Sequence, residues 1–200
     1  MTMTIQFFPE NFKVESSGSG DFIQVPRKDG EAIRVVLLGQ AVVGYEYWTT
    51  EGKPVRLTEK PHGKPADMRE KSEAGFAERV KQFVCFPAFE YGADGGDDGR
   101  VGIFQINQAS IIGEIYDILM SGDFDPMNVF FKIERKSGKR VSYSVNAISF
   151  NNKFTKPSAD IYQQGTDLKV AEVLFQNQDE DSSEDAAPST VDVTIASTVM

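Results

Sequence analysis

Two hairpin signals with a helical pattern between them, within residues 81–145, constrain the fold of this chain most tightly. The first hairpin reads Lys81-Gln-Phe-Val-Cys-Phe-Pro-Ala-Phe-Glu-Tyr91, passes a Gly/Asp cluster, and returns as Arg100-Val-Gly-Ile-Phe-Gln-Ile-Asn107. β-Branched and aromatic runs on both sides of such a cluster signal antiparallel strands. Phe83, Cys85, Pro87, Phe89 and Tyr91 alternate with Val84, Phe86 and Ala88, so both faces are apolar. One face therefore meets the core and the other is covered or used. Pro87 has no backbone donor and points to an edge or a bulge. Residues 108–120 place Ile111, Ile112, Ile115, Ile118 and Leu119 at helical spacing, with Ser110 as the expected cap and Gly122 as the stop. The second hairpin pairs 128–135 with 140–147 about Lys136-Ser-Gly-Lys139.

Upstream, residues 32–48 form one long β-type run interrupted by Gly39 and Gly44, which suggests a bent strand. Residues 49–80 are irregular, with Pro54, Pro61 and Pro65 early on, and 66–81 read as a short charged helix with Met68, Phe76 and Val80 inward. Residues 1–30 form an N-terminal arm that packs Phe7, Phe8, Phe22 and Ile23 on the body. Residues 168–175 carry a weak amphipathic pattern. The order β-β-β-α-β-β is that of the OB-fold. The expected fold is thus mainly β (α+β): a five-stranded barrel over residues 31–175, one helix between its third and fourth strands, and an insertion at 49–80. Residues 176–200 are expected to be a disordered acidic tail.

The net charge of −9 looks unsuited to a nucleic-acid binder until it is divided. Residues 176–200 hold six acids and no Lys or Arg, leaving 24 acids against 21 bases elsewhere. Residues 127–157 hold seven bases (Lys132, Arg135, Lys136, Lys139, Arg140, Lys153, Lys156) and one acid, Glu134. A basic hairpin is therefore set against an acidic end.

Catalytic signatures are scarce. There is no P-loop, no HExxH, no GxSxG and no GxGxxG after a strand. His62 lies in a proline-flanked loop, and Asp94, Asp97 and Asp98 lack the register of a calcium loop. One Cys and one His cannot build a structural zinc site, so no metal or other cofactor is expected. Cys85 reads as a small core hydrophobe in a reducing, cytosolic setting. The apolar runs are too short to span a bilayer, and residues 1–10 show no cationic leader.

What remains is a binding surface. Single-stranded nucleic acid is held by cations along its phosphates and by aromatic faces on which bases stack. The candidate stackers are Tyr45, Tyr47, Trp48, Phe86, Phe130 and Tyr143. The candidate phosphate partners are Arg34, Lys53, Arg56, Lys81, Lys132, Arg135, Lys139 and Arg140. Phe130 stands out because it shares its strand face with Lys132 and Lys136, while Phe131 takes the apolar face.

The chain resembles the single-stranded DNA-binding proteins of bacteriophages. Ile33-Arg-Val-Val-Leu-Leu38 leading to Gly44-Tyr-Glu-Tyr-Trp48, the segments 81–91 and 101–107, and the helix 108–120 carry the likeness. Asp123-Phe-Asp125, Val129-Phe-Phe-Lys-Ile-Glu-Arg-Lys-Ser-Gly138, Val141-Ser-Tyr-Ser-Val145 and the acidic end complete it. The resemblance implies non-catalytic coating of single-stranded DNA during replication, recombination and repair, in the cytoplasm of an infected bacterium. It also implies that the tail contacts replication or recombination proteins and competes with DNA for the groove. Self-association is compatible with it. Two features depart from the family: the single Cys and His cannot hold the zinc ion that some relatives carry, and the tail ends in the apolar stretch Val191-Asp-Val-Thr-Ile-Ala-Ser-Thr-Val-Met200. A phage structural or assembly protein without nucleic-acid binding is the alternative.

Overall fold

The computed structural model describes residues 22–138 and 140–175. Most of the expected N-terminal arm, Lys139 and the acidic tail lie outside the described residues. The order of elements is β1 (Phe22–Ile23), β2 (Ala32–Leu37), β3 (Val42–Trp48), β4 (Pro54–Leu57), β5 (Lys81–Tyr91) and β6 (Gly99–Ile106). Then follow α1 (Ala109–Ser121), a 3₁₀ turn (Pro126–Asn128), β7 (Val129–Lys136), β8 (Ser142–Ser149), α2 (Ala159–Asp167) and α3 (Val170–Phe175). The protein is mainly β, with all eight strands in one mixed sheet.

The long central strand β5 organises that sheet. One edge pairs with β6 from Val84↔Ile106 to Tyr91↔Gly99. The other edge is shared: β2 covers its second half, from Val35↔Glu90 to Leu37↔Ala88, and β3 its first, from Val42↔Cys85 to Glu46↔Lys81. The 32–48 run is thus broken at 38–41, opposite Pro87. The Leu38 amide donates to the Pro87 carbonyl at 2.8 Å. The missing Pro87 N–H therefore faces the break, where no ladder bond is lost, so a proline is tolerated in a central strand. A Cβ on Gly39 would lie 2.9 Å from the Pro87 ring, so only glycine lets the chain turn this close. Gly44, by contrast, stays within β3. The Phe83 ring fills the space that its Cβ would need, so this glycine serves packing and not a bend.

Period-two alternation sends the two faces of β5 into different cores. Val84, Phe86 and Ala88 join Phe104, Ile111, Ile115, Phe131 and Ile133 in a core beneath α1. Phe89 and Tyr91 join Val36, Phe130 and Ile161, and Phe83 and Cys85 join Ile103, Val170 and Leu174, in cores beneath the C-terminal helices. Both apolar faces of the first hairpin are therefore covered. The helix α1 begins after Gln108, not at a Ser110 cap, and ends at Gly122 in the left-handed conformation, φ 74°.

The expected closed five-stranded barrel is not seen, for the sheet is open. β8 pairs only with β7, and the outer edge of β6 pairs in parallel with β1. Residues 24–31 lead from β1 to β2; Gly30 and Glu31 extend the β2–β7 ladder, and Tyr143 of β8 bonds the same segment. Gly30 N donates to the Arg135 carbonyl at 2.9 Å, Arg135 N to the Glu31 carbonyl at 3.0 Å, and the Tyr143 hydroxyl to the Pro26 carbonyl at 3.2 Å.

The expected helix over 66–81 does not form. Lys71 pairs with Ala77 across a tight turn at Gly75, φ 80°, and Met68 bridges to Thr49. Met68 is buried, whereas Phe76 is 76 % exposed. Pro54 opens the edge strand β4, where its missing donor costs nothing. Among the described residues no helix is long and apolar enough to cross a membrane.

Candidate nucleic-acid interface

Alternation along β3 puts Gly44, Glu46 and Trp48 on one face. Glu46 is buried, and a buried carboxylate must be paired and hydrogen-bonded. Its neighbours in the sheet supply the partners. Arg56 Nε from β4 donates at 3.1 Å, Gln105 Nε2 from β6 at 3.3 Å, and Asn107 Nδ2 at 3.4 Å. The Arg56 guanidinium lies over the Phe22 ring at 5.4 Å. This polar network floors a recess of about 570 Å³, walled by Trp48, Tyr143, Val25 and Arg27.

Trp48 also walls a second recess of about 770 Å³, with Arg69, Phe76, Arg79 and Lys81. The Arg69 guanidinium covers one face of the indole, 5.0 Å from the ring centre. Arg69 Nε donates to Glu78 at 2.7 Å, and Lys81 Nζ lies 3.8 Å from the same carboxylate. Burial by itself would raise the Glu78 pKa, but the hydrogen bonds from Arg69 and the Arg79 amide and the charges of Lys81 and Arg69 outweigh it. The carboxyl sits below the ordinary value of 4.5. Trp48 thus stands between two concave surfaces rich in arginine.

Of the fourteen residues singled out in the sequence, Trp48, Arg56 and Tyr143 meet in the first recess, and Lys81 joins Trp48 in the second. Lys53 is an exposed neighbour at the β3–β4 turn, 3.0 Å from Glu51. Tyr45 is half-buried on the opposite face of β3 from Trp48. The others are elsewhere or occupied. Tyr47 is buried and donates to Asp67 at 3.0 Å; burial and that hydrogen bond push its pKa up to about 12. Phe86 lies in the core under α1.

Phe130 is 1 % exposed. Its ring packs on Phe154 at 5.3 Å, Tyr91 at 5.8 Å and Phe150 at 6.3 Å, so it offers no face to a base. The face it shares with Lys132 is the one that residues 150–162 cover. Arg34 stacks over Phe154 at 4.8 Å, and Lys132 pairs with Glu134. Arg135 holds the β1–β2 connection through Asp29 at 3.0 Å and the Arg27 carbonyl. Arg140 is exposed near the hairpin tip, and Lys139 lies outside the described residues.

Arg27, Arg69, Phe76, Arg79, Gln105 and Asn107 complete the two recesses and were not among the sequence candidates. Gln105 carried a signal, as the polar residue within the apolar run 101–106. The residues from 69 to 79 were masked by the helical reading of that segment. No cluster of three or more potential metal ligands occurs among the described residues. No family model matches the chain, and comparisons with curated proteins and with solved structures return no match.

Proposed function

We propose that the protein binds single-stranded DNA, non-catalytically and largely without sequence preference, in bacteriophage replication, recombination and repair. The observation that carries this reading is the position of Trp48: an indole between two recesses, flanked by Arg27, Arg56, Arg69, Arg79 and Lys81. An aromatic face stabilises each stacked base by about 1–3 kcal/mol and accepts any base, while the cations neutralise phosphates.

The proposed fold is of OB type. Residues 32–48 act as one bent first strand; β5, β6, α1, β7 and β8 follow in the β-β-β-α-β-β order, and β1 occupies the edge that closure would use. The acidic residues 179–185 compete with DNA for the cationic recesses and contact replication or recombination proteins. Equilibrium binding of fluorescein-labelled oligo-dT, oligo-dA and a mixed-sequence strand tests the proposal. Affinities within about tenfold of one another, each falling steeply with salt, are expected. Removing residues 176–200 tightens binding. Absence of binding at low salt refutes the reading.

A further inference from the structure

A groove of about 1050 Å³ runs between α1 and the β3–β5 ladder, next to the 38–41 break. Val43, Val84 and Phe86 form one wall, and Ile112, Tyr116 and Leu119 form the other. Val43 is 46 % exposed and Tyr116 60 %. Contiguous apolar surface of this kind marks an interaction site. Its concave shape suits an extended peptide better than a flat protein face.

We propose that this groove is the docking site for residues 191–200 of the same chain. The chemistry of the segment fits. Val191, Val193 and Ile195 alternate with Asp192 and Thr194, so an extended strand presents three β-branched side chains on one side.

The order of surfaces fits as well. Lys81 lines both the groove and the Arg69/Arg79 recess, so a cationic surface adjoins the apolar groove. The chain after residue 175 runs in the same order, acids at 179–185 and then the apolar stretch.

Reach is sufficient. α3 ends at Phe175, whose ring lies 6.3 Å from that of Phe83 on β5. Val84 and Phe86, one and three residues further on, face the groove from the other side of that strand. The route round the β3–β4 edge crosses two strands at about 4.8 Å each on either face, roughly 30 Å in all with the thickness of the sheet, and the residues between 175 and 191 span up to about 50 Å when extended. The docked segment anchors the acidic stretch on the body. This inference does not rest on DNA binding.

Amide chemical shifts of the full chain and of a chain ending at residue 190 provide the test, with no nucleic acid present. Removal of 191–200 is expected to move the signals of Val43, Ile112, Tyr116 and Leu119, and a synthetic 191–200 peptide to return them. Val43→Glu and Tyr116→Glu alter exposed positions that leave the core intact. Each weakens binding of the labelled peptide roughly tenfold or more. Groove signals unmoved by the truncation overturn the proposal. So do signals that respond instead to deletion of residues 1–21, or that follow protein concentration equally in both chains, since these assign the groove to another segment or to a second copy.

Discussion

Arg69 is held between Trp48 and Glu78: its guanidinium carbon lies 5.0 Å from the indole centre while its Nε donates to the carboxylate at 2.7 Å. A cation on an aromatic face is stabilised by about 0.5–2 kcal/mol, and a buried carboxylate loses a comparable or larger amount when its donor is removed. The two contacts together fix the orientation of the indole and position the loop between β4 and β5 beside it.

Glu78→Gln should destabilise the protein by about 2 kcal/mol at neutral pH, since it removes a buried charge that Arg69 and Lys81 require. The pH dependence has a definite sign. The Glu78 carboxyl titrates below its ordinary value of 4.5, so its stabilisation is complete above that value and is lost as pH falls through the lowered one. Urea denaturation of the wild type and the variant from pH 7 to pH 3 should give curves that converge at the acid end. A constant difference across that range would contradict the pairing.

Glu46→Ala should cost about 3 kcal/mol, because it leaves Arg56, Gln105 and Asn107 without their common acceptor. Arg56 is the most affected, being confined over Phe22. Urea midpoints measure the loss, and a change below 1 kcal/mol would show that the donors find water instead.

Phe130→Leu should lower stability by about 1–2 kcal/mol and leave oligonucleotide affinity unchanged, because the ring is enclosed by Phe150, Phe154 and Tyr91. A loss of affinity by the folded variant would place Phe130 in the interface.

Cys85 should be inert toward aromatic disulfide reagents until the protein unfolds. It is fully buried, and burial, opposed in part by the charge of Arg56 and aided by a smaller push from Glu46, raises the thiol to about 12. Stopped-flow mixing with and without denaturant measures this directly. Rapid reaction of the native protein would show that the α3 cover opens.

Much of the fold was legible because it depends on periodicity. Alternating residues marked both hairpins, and the spacing of Ile111, Ile115 and Ile118 marked α1. The break at Gly39 was legible as a glycine inside a β pattern, although the same signal at Gly44 marked a packing contact with Phe83 and no break. The site was less so. Phe130 looked exposed since it shares a strand face with Lys132, yet the cover over that face comes from residues 150–162, far along the chain. Tyr47 and Arg135 looked like ligand contacts, but their polar ends are used by Asp67 and Asp29. Strand pattern assigns a side to a residue, and only tertiary contacts decide whether that side is open. Residues 69–79 were missed for a local reason: a two-residue bridge about Gly75 leaves no periodic trace.

Trp48 is the single tryptophan of the chain, so its emission reports the proposed interface without labelling. Titration with oligo-dT at low salt should quench that emission saturably, and added salt should reverse the quenching through counterion release. Lys81→Ala should reduce the salt slope by about one charge. Unchanged emission, with no retardation of the oligonucleotide in a native gel, would contradict the central claim.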